Sequence, residues 1–157
     1  MRHRSLIEPS SKRLVVVSEE VMTLITSYRQ SSPEDWEAGG ILMGKRRGQH
    51  LEVNFATAPQ VKDIRSRYGF IRHPDGHQEI AESRLKLTNG EENYIGEWHT
   101  HPENHPLPST IDTRDWRRLS KNHRAPLLVI IGGIQACYFG ILINSRLHML
   151  KECAVIY

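Results

Sequence analysis

Cysteine and net charge are both scarce in this chain of 157 residues. Its two cysteines, Cys137 and Cys153, are too few for a disulfide framework, and their apolar surroundings predict buried free thiols. The net charge of +3 lacks the dense basic footprint of a dedicated nucleic-acid-binding protein. These absences exclude a disulfide-rich secreted class, argue against nucleic acid as a partner, and favour a reducing cytoplasm.

We also find no convincing export or membrane signal in the amino-acid sequence. The basic start, Met1 to Arg4, is not followed by an apolar run, so we expect no signal peptide. Residues 125–145 are uncharged and long enough to span a bilayer, but Pro126, Gly132-Gly133 and Gly140 interrupt them. We therefore predict two buried strands with a Gly-Gly turn between them, and no membrane association.

What remains is the composition of a globular protein, with 38% apolar and 25% charged residues. The length suits one domain, which we place over residues 1–157 with 1–12 as a candidate flexible segment. Apolar periodicity predicts helices after Ser18, over 77–88 and after Ser109, and strands over 14–17, 40–44, 51–57, 94–100, 127–131, 136–143 and 146–150. Helices and strands do not alternate strictly, so the prediction is an α/β or α+β fold with a mixed sheet.

Two histidines and one aspartate carry the clearest chemical pattern. His99 and His101 are two residues apart on a predicted strand, so both imidazoles point to one face. Pro102 ends that strand, and a Pro-rich loop leads to Ser109, a suitable N-cap. Asp112 then takes the third helical position, where its carboxylate can face the strand end. Two imidazole nitrogens and one carboxylate oxygen suit Zn²⁺ and leave a fourth position for water, as in catalytic sites.

The same residues resemble a known signature. His99-Thr100-His101-Pro102, then six residues, then Ser109-Thr110-Ile111-Asp112, resembles the JAMM motif of the MPN/JAB metalloproteases. Upstream, the run from Glu37 to Gly44 looks like the Glu-containing strand of that family. The order of elements is similar too, so the resemblance covers most of the chain. It implies a single MPN/JAB-like domain, a mixed sheet flanked by helices in a cytidine-deaminase-like layering.

Residue roles follow from the resemblance. It implies His99, His101 and Asp112 as ligands of one zinc ion per chain, Glu37 as general base, and Ser109 as a group that hydrogen-bonds the tetrahedral intermediate. The implied enzyme is a JAMM-type zinc metalloprotease. It would hydrolyse isopeptide or peptide bonds after the C-terminal glycine of ubiquitin or a ubiquitin-like modifier.

A subgroup also stands out. The amino-acid sequence from Tyr94 to Pro102, with Pro108-Ser109 after it, is similar to that of compact bacterial members of the family. These members include the deconjugating peptidases of CBASS-type anti-phage operons. In those systems a ubiquitin-transfer-like enzyme attaches a nucleotidyltransferase to targets, so both proteins and the conjugate are implied partners. Sulfur-carrier or other ubiquitin-like precursor processing remains an alternative, as does a non-catalytic MPN-type scaffold.

Two carboxylates leave the site assignment open. Glu97 stands where many members of the family have an apolar residue, and by alternation it shares a face with the two histidines. It therefore competes with Glu37 as base, or orients a ligand histidine; the resemblance favours Glu37. Asp115 closely follows Asp112 and would replace it as ligand if the helix were offset.

Two further segments have predicted roles. The irregular stretch from Val61 to Asn93 is the predicted specificity element. Within it, His73 and His77 have a helical metal spacing, but Pro74 and Gly76 oppose a helix, so we interpret both histidines as loop residues.

The helix after Ser109 carries a run of basic residues. It is either a solvated face or a docking surface for an acidic partner or for the substrate tail. Its cations are Arg114, Arg117, Arg118 and Lys121, with Arg124 beyond.

Overall fold

The computed structural model describes residues 3–153 as eleven strands and three helices. The strands are β1 (Arg4–Ile7), β2 (Leu14–Val17), β3 (Gly39–Arg47), β4 (His50–Ala56), β5 (Ile64–Ser66), β6 (Gly69–Ile71), β7 (Asn93–Thr100), β8 (Leu127–Gly132), β9 (Cys137–Ile143), β10 (Arg146–Met149) and β11 (Lys151–Glu152). The helices are α1 (Glu19–Ser27), α2 (Pro74–Leu87) and α3 (Thr110–Lys121).

Nine strands form one mixed sheet in the order β10-β9-β8-β7-β3-β4-β2-β1-β11. The pairs β2–β4 and β7–β8 are parallel, whereas the other neighbours in this sheet are antiparallel. Strands β5 and β6 form a separate two-stranded hairpin. The predicted mixed α/β architecture is therefore confirmed.

Helices cover both faces of the sheet. Strand β8 is buried along its whole length, as expected for a near-continuous apolar run covered on both sides. Leu128 and Ile130 join the core beneath α1, whose Val21 and Ile25 pack there. The alternate residues of β8 pack with Trp116 of α3 in a second core. The site-bearing strand β7 lies between β3 and β8, in the middle of this double-faced sheet.

The uncharged stretch 125–145 forms strands β8 and β9, as predicted, rather than a helix. Gly133 lies in the turn between them, where an added Cβ would meet the Ala136 carbonyl oxygen at 2.4 Å. Within residues 3–153, the structure has no helix with the length and apolar character needed to cross a membrane. Cys137 and Cys153 are free thiols, although both are partly rather than fully buried.

Three features differ from the sequence interpretation. The pairing of β1 with β2 and β11 was not predicted, nor was the β5–β6 hairpin. Asp75 and Gly76 have non-helical dihedral angles, so regular α2 geometry starts at His77. The interpretation of His77 as a loop residue is therefore wrong, because it begins the regular helix and is 1% exposed.

Candidate active site and metal centre

The two histidines converge at the end of the central strand. His99 lies on β7 opposite Gly39 of β3 and Ile131 of β8, and His101 follows directly after the strand. Their Nε2 atoms lie 3.1 Å apart. Both side chains are mostly buried, with exposures of 13% and 12%. Strand alternation thus places both imidazoles on one face, as the spacing predicted.

Asp112 reaches the histidines from the first turn of α3. Its Oδ1 lies 3.2 Å from His99 Nε2, and its Oδ2 lies 3.2 Å from His101 Nε2. A capping box orients this carboxylate: the Ser109 amide donates to Asp112 Oδ2 at 2.8 Å, and Ser109 Oγ accepts from the Asp112 amide at 3.1 Å. The helix start therefore aims the carboxylate by purely local hydrogen bonds.

These three groups fit a metal ion. Metal–ligand bonds of about 2.0–2.1 Å in a tetrahedral site place the ligand atoms about 3.3 Å apart. The distances of 3.1 and 3.2 Å among the histidine nitrogens and the carboxylate agree with that spacing. His101 Nδ1 lies 2.9 Å from Glu103 Oε1, so this nitrogen donates its proton outward and the Nε2 lone pair faces the cluster.

Glu37 borders the cluster just before β3. Its side chain is buried, and a carboxylate oxygen lies within 4.8 Å of both imidazole ligand atoms. The hairpin holds its backbone, because its amide donates to the Ser66 carbonyl at 2.7 Å and its carbonyl accepts from Arg65 Nε at 2.8 Å. The next residue, Ala38, donates its amide to Thr100 Oγ1 at 2.9 Å. Hydrogen bonds from the hairpin and from β7 therefore fix the backbone at Glu37 and Ala38.

The contacts of the two acids with the histidines differ. Asp112 oxygens lie 3.2 Å from the Nε2 atom of each histidine, and an oxygen of Glu37 lies within 4.8 Å of both imidazole ligand atoms. Glu37 and Asp112 are therefore both candidate third ligands beside His99 and His101, and the contacts of 3.2 Å favour Asp112. Asp115, the other candidate ligand, is 56% exposed and pairs with Arg114 instead.

Electrostatics distinguish the same two carboxylates. Burial raises the pKa of Glu37 to about 7, although the nearby imidazoles oppose the shift. Burial acts in the same direction on Asp112, but hydrogen bonds from His101 and His99 outweigh it and hold its pKa far below the usual range. Asp112 likewise raises the pKa of His101 against the effect of burial. The contacts of Asp112 therefore favour its ionised form, whereas burial brings the pKa of Glu37 close to neutral pH.

Glu97 is engaged elsewhere. It forms an ion pair with Arg72 and accepts a hydrogen bond from the Tyr94 hydroxyl at 3.4 Å. It lies on the wall of the groove, on the same strand as His99. Its charge is compensated by Arg72, which makes it a poorer candidate base than the buried Glu37.

An open groove of about 810 Å³ runs over the cluster. One wall is the β5–β6 hairpin, and the other is the start of α3. Phe70 of the hairpin packs so closely on β3 that a Cβ at Gly39 would meet its ring at 2.7 Å. The residues lining the groove include Tyr68, Gly69, Ile71, Arg72, Pro102, Ser109 and Ile111.

A buried polar network joins the specificity segment to the sheet. His77 Nε2 lies 2.7 Å from Asp63 Oδ2, and His77 Nδ1 lies 2.7 Å from Thr57 Oγ1. Thr57 Oγ1 also accepts the Ile41 amide at 2.9 Å. His77 is therefore a structural link. Sequence reasoning missed this network, the hairpin contacts to Glu37, and the Glu103 contact to His101. Of these, only Glu103 has a local signal, since it lies two residues beyond a ligand candidate.

Comparison with known proteins decides the family. Residues 20–139 match the family described as prokaryotic homologs of the JAB domain. The chain belongs to this family. The predicted family and fold class of this JAB-domain protein are therefore confirmed.

Three curated relatives named CD-NTase/cGAS isopeptidase are similar over most of their length. The relative from Pseudomonas aeruginosa (strain BWHPSA011 / Pa011) is 39% identical over 86% of this chain and 87% of its own. The relative from Escherichia coli (strain TW11681) is 36% identical over 97% and 96%, and that from Vibrio cholerae serotype O1 is 39% identical over 81% of each. These names confirm the predicted function at the level of a deconjugating isopeptidase, hence a hydrolase.

A solved structure agrees on the fold. The solution structure of protein DSY2949 from Desulfitobacterium hafniense has a TM-score of 0.56 over 90% of each chain, at 20% sequence identity. At this identity the likeness concerns the fold alone.

Proposed function

We propose that this JAB-domain protein is a zinc-dependent isopeptidase that releases a CD-NTase or a similar modifier from its conjugates in the cytoplasm, within a CBASS-type anti-phage system. One observation carries the proposal: His99, His101 and Asp112 converge within 3.1 and 3.2 Å of one another, beside the buried carboxylate of Glu37. The relatives' name, CD-NTase/cGAS isopeptidase, supports the substrate class.

His99, His101 and Asp112 would hold the metal. Two imidazole nitrogens and a carboxylate oxygen are a donor set that zinc uses in hydrolytic sites. When bound, zinc supplies a Lewis acid that lowers the pKa of water and polarises the scissile carbonyl.

The protein's own groups handle the protons. Glu37 would take a proton from the attacking water and deliver it to the leaving lysine amine, a task that suits a carboxylate with a pKa of about 7. Ser109 Oγ accepts the Asp112 amide, which leaves its own hydroxyl proton for a hydrogen bond to the oxyanion. Both roles remain proposals that rest on the position of these groups in the groove.

The groove would receive the tail as an extended segment. Strand β6 pairs with β5 on one side, so its other edge offers backbone donors and acceptors. Gly69 and Ile71 of that strand line the groove next to the histidine cluster. We expect the bond after the C-terminal glycine of the tail to lie over the cluster.

The test is cleavage of a defined conjugate. A CD-NTase attached through its C-terminus to a lysine of a target protein is incubated with the zinc-loaded protein, and the products are weighed by mass spectrometry. We expect release of a CD-NTase with a free carboxyl terminus, and no release with chelator or with Glu37→Gln. A zinc-loaded protein that leaves the conjugate intact would support the non-catalytic scaffold instead.

A linear fusion provides the second arm. The same tail is followed by a peptide bond instead of an isopeptide bond. Cleavage of the fusion alone would favour the precursor-processing alternative.

A further inference from the structure

The exposed face of α3 holds the surplus positive charge of the molecule. Residues 110–124 contain five cations and two carboxylates, and this surplus of three equals the net charge of +3 of the whole chain. The rest of the sequence is electrically balanced, so the net field of the protein originates from one helix and the turn after it. The five cations, which we call the α3 stripe, are Arg114, Arg117, Arg118, Lys121 and Arg124.

Most of the positive charge of the stripe has no acidic partner within the described part of the chain. All five are exposed, while Trp116 and Ser120 on the opposite face of the helix are buried against the sheet. Among residues 3–153, Arg114 is the one member with an acidic partner within 4.0 Å, namely Asp115 at 3.3 Å. Asp112 directs its charge at the histidines instead. The stripe therefore presents an uncompensated positive surface to solvent.

The stripe begins at the groove itself. Arg114 lines the groove, and Lys121 lies two turns further along the helix, about 10 Å away. The stripe is therefore close enough to the groove to contact the folded body of a protein whose tail lies there. We propose that the α3 stripe binds an acidic surface on the folded body of the protein whose tail is cleaved. This inference rests on the proposed isopeptidase function and adds the surface that recognises the substrate.

A protein partner explains this placement better than a nucleic acid does. The stripe adjoins a groove that accepts polypeptide, and Asp115 interrupts it at its start. The four cations on α3 itself span only about two helical turns, a short track for a duplex backbone. Nucleic-acid binding is therefore kept as an outcome that the experiment can detect.

The experiment compares two substrates in one triple variant, Arg117→Glu, Arg118→Glu and Lys121→Glu. One substrate is the full CD-NTase–lysine conjugate, and the other is the ten-residue C-terminal tail of the same protein joined to lysine. Exposed charges act mainly on encounter, so kcat/KM for the conjugate should fall about 10-fold at about 50 mM salt, with kcat unchanged. The difference should shrink to less than about 3-fold at about 0.5 M salt, where charges are screened. Cleavage of the tail peptide should not change.

A matched control carries the same change of charge elsewhere. It combines Lys12→Glu, Lys86→Glu and Lys151→Glu, three exposed lysines outside α3. Lys86 matches Lys121 closely, since each lies in the last turn of its helix. We expect the control variant to cleave the conjugate with at least about half of the wild-type kcat/KM, because the charges it reverses lie away from the groove.

Three results would overturn the proposal. The stripe variant could lose activity equally on conjugate and tail peptide, or the control could lose as much as the stripe variant. Alternatively, fluorescence anisotropy could show that duplex DNA binds the wild type and not the stripe variant, while conjugate cleavage stays equal. Failure of the proposed function itself looks different, because the wild-type protein then cleaves neither substrate.

A second contact supports an independent inference. Glu103 Oε1 lies 2.9 Å from His101 Nδ1, on the side of the ring away from the cluster. The Glu103 backbone is held separately, since its carbonyl accepts the Ile134 amide at 2.8 Å. The side chain is 52% exposed, so its removal leaves no buried cavity. We infer that Glu103 is a positioning residue that holds His101 as a metal ligand.

The expected effect is on metal affinity. A carboxylate on the outer nitrogen of a ligand histidine fixes its tautomer and orientation, and its loss weakens metal binding by about 10–100-fold. Zinc affinity of Glu103→Ala is measured by competition with a chromophoric chelator, and Glu103→Gln should be intermediate because it keeps an acceptor oxygen.

Asp115→Ala is the matched control. Asp115 also lines the groove and is similarly exposed, at 56%, but it pairs with Arg114 rather than with a histidine. Zinc binding of this control should match that of the wild type. Unchanged zinc affinity in Glu103→Ala would overturn the inference, whereas a wild-type protein that binds no zinc would instead refute the metal site.

Discussion

The two walls of the groove are built in different ways. The wall formed by the end of β7 and the start of α3 carries the histidines and Asp112, with side chains at most 14% exposed. The β5–β6 hairpin has strands of only three residues, and its Tyr68 and Ile71 are 80% and 64% exposed. The reacting groups thus lie on the well-packed part of the molecule, and the apolar contact surface lies on a small appendage.

The buried side chain of Gln30 is one of the links between the two walls. Gln30 is fully buried; its Oε1 accepts from Thr100 Oγ1 at 2.9 Å, and its Nε2 donates to the Arg67 carbonyl at 2.8 Å. Thr100 lies between the two histidines, and Arg67 lies at the tip of the hairpin. The comparison teaches that the hairpin is held by a few polar contacts, so its exposed side chains can vary without disturbing the candidate metal ligands.

The largest effect is expected on the catalytic wall. His99→Ala removes one of three convergent ligands, so both zinc content and conjugate cleavage should fall below detection. The measurement is metal content by mass spectrometry with an activity assay. His105→Ala is the control, since this exposed histidine lies in the same loop region and should keep one zinc per chain. Zinc retained by the His99 variant would show that the ligand set is misassigned.

The next effect separates the two glutamates. Glu37→Gln should lower kcat by about 10²–10⁴-fold with zinc retained, since it removes the proton acceptor without removing a ligand. Glu97→Gln should lower kcat by less than about 10-fold, because the Arg72 partner already neutralises Glu97. Single-turnover cleavage and zinc content are measured on both variants. The reverse ranking would transfer the base role to Glu97.

Ser109 tests whether its hydroxyl has a role beyond the helix cap. Ser109→Ala should lower kcat by about 10²-fold and destabilise the protein by about 1 kcal/mol, through loss of the oxyanion contact and of the cap. Ser109→Gly loses the hydroxyl but costs only a few tenths of a kcal/mol in capping, so it should lose as much activity with less change in melting temperature. Full activity in the glycine variant would reduce Ser109 to a cap.

The hairpin wall should respond in substrate affinity alone. The double change Tyr68→Ser and Ile71→Ser removes exposed apolar surface from the hairpin, which carries none of the proposed ligands, so KM should rise about 5–10-fold with kcat and zinc content unchanged. Leu87→Ser, an exposed apolar position on α2, provides the control and should leave KM unchanged. A fall in kcat or loss of zinc would show that the two walls are not separable.

The smallest effect concerns pH and the metal-free protein. Burial raises the pKa of Glu37 from its ordinary 4.5 to about 7, so the stability it contributes is present below pH 4.5 and is lost as pH rises through about 7. Metal-free Glu37→Gln should therefore melt at least about 2 °C above the metal-free wild type at pH 8, and the difference should vanish near pH 4.5. Calorimetry across this range tests the sign, and a difference that grows toward acid would contradict it.

Much of the fold follows from local pattern. The capped starts of α1 and α3 and the apolar runs of β8 and β9 are where the sequence indicates them, because capping and burial periodicity act over a few residues. The pairing of β1 with β11 brings together the two ends of the described chain, and the β5–β6 hairpin has strands of three residues. Neither leaves a periodic signal long enough to recognise.

The candidate ligand set was determined by the sequence itself. A two-residue spacing on a strand turns His99 and His101 to one side, and a three-residue capping box orients Asp112. The environments of the two glutamates, by contrast, depend on tertiary structure. Glu37 is buried beneath a hairpin, and Glu97 meets Arg72, 25 residues away in sequence. Burial and ion pairing set the pKa and availability of a carboxylate, and both depend on contacts that no local spacing encodes.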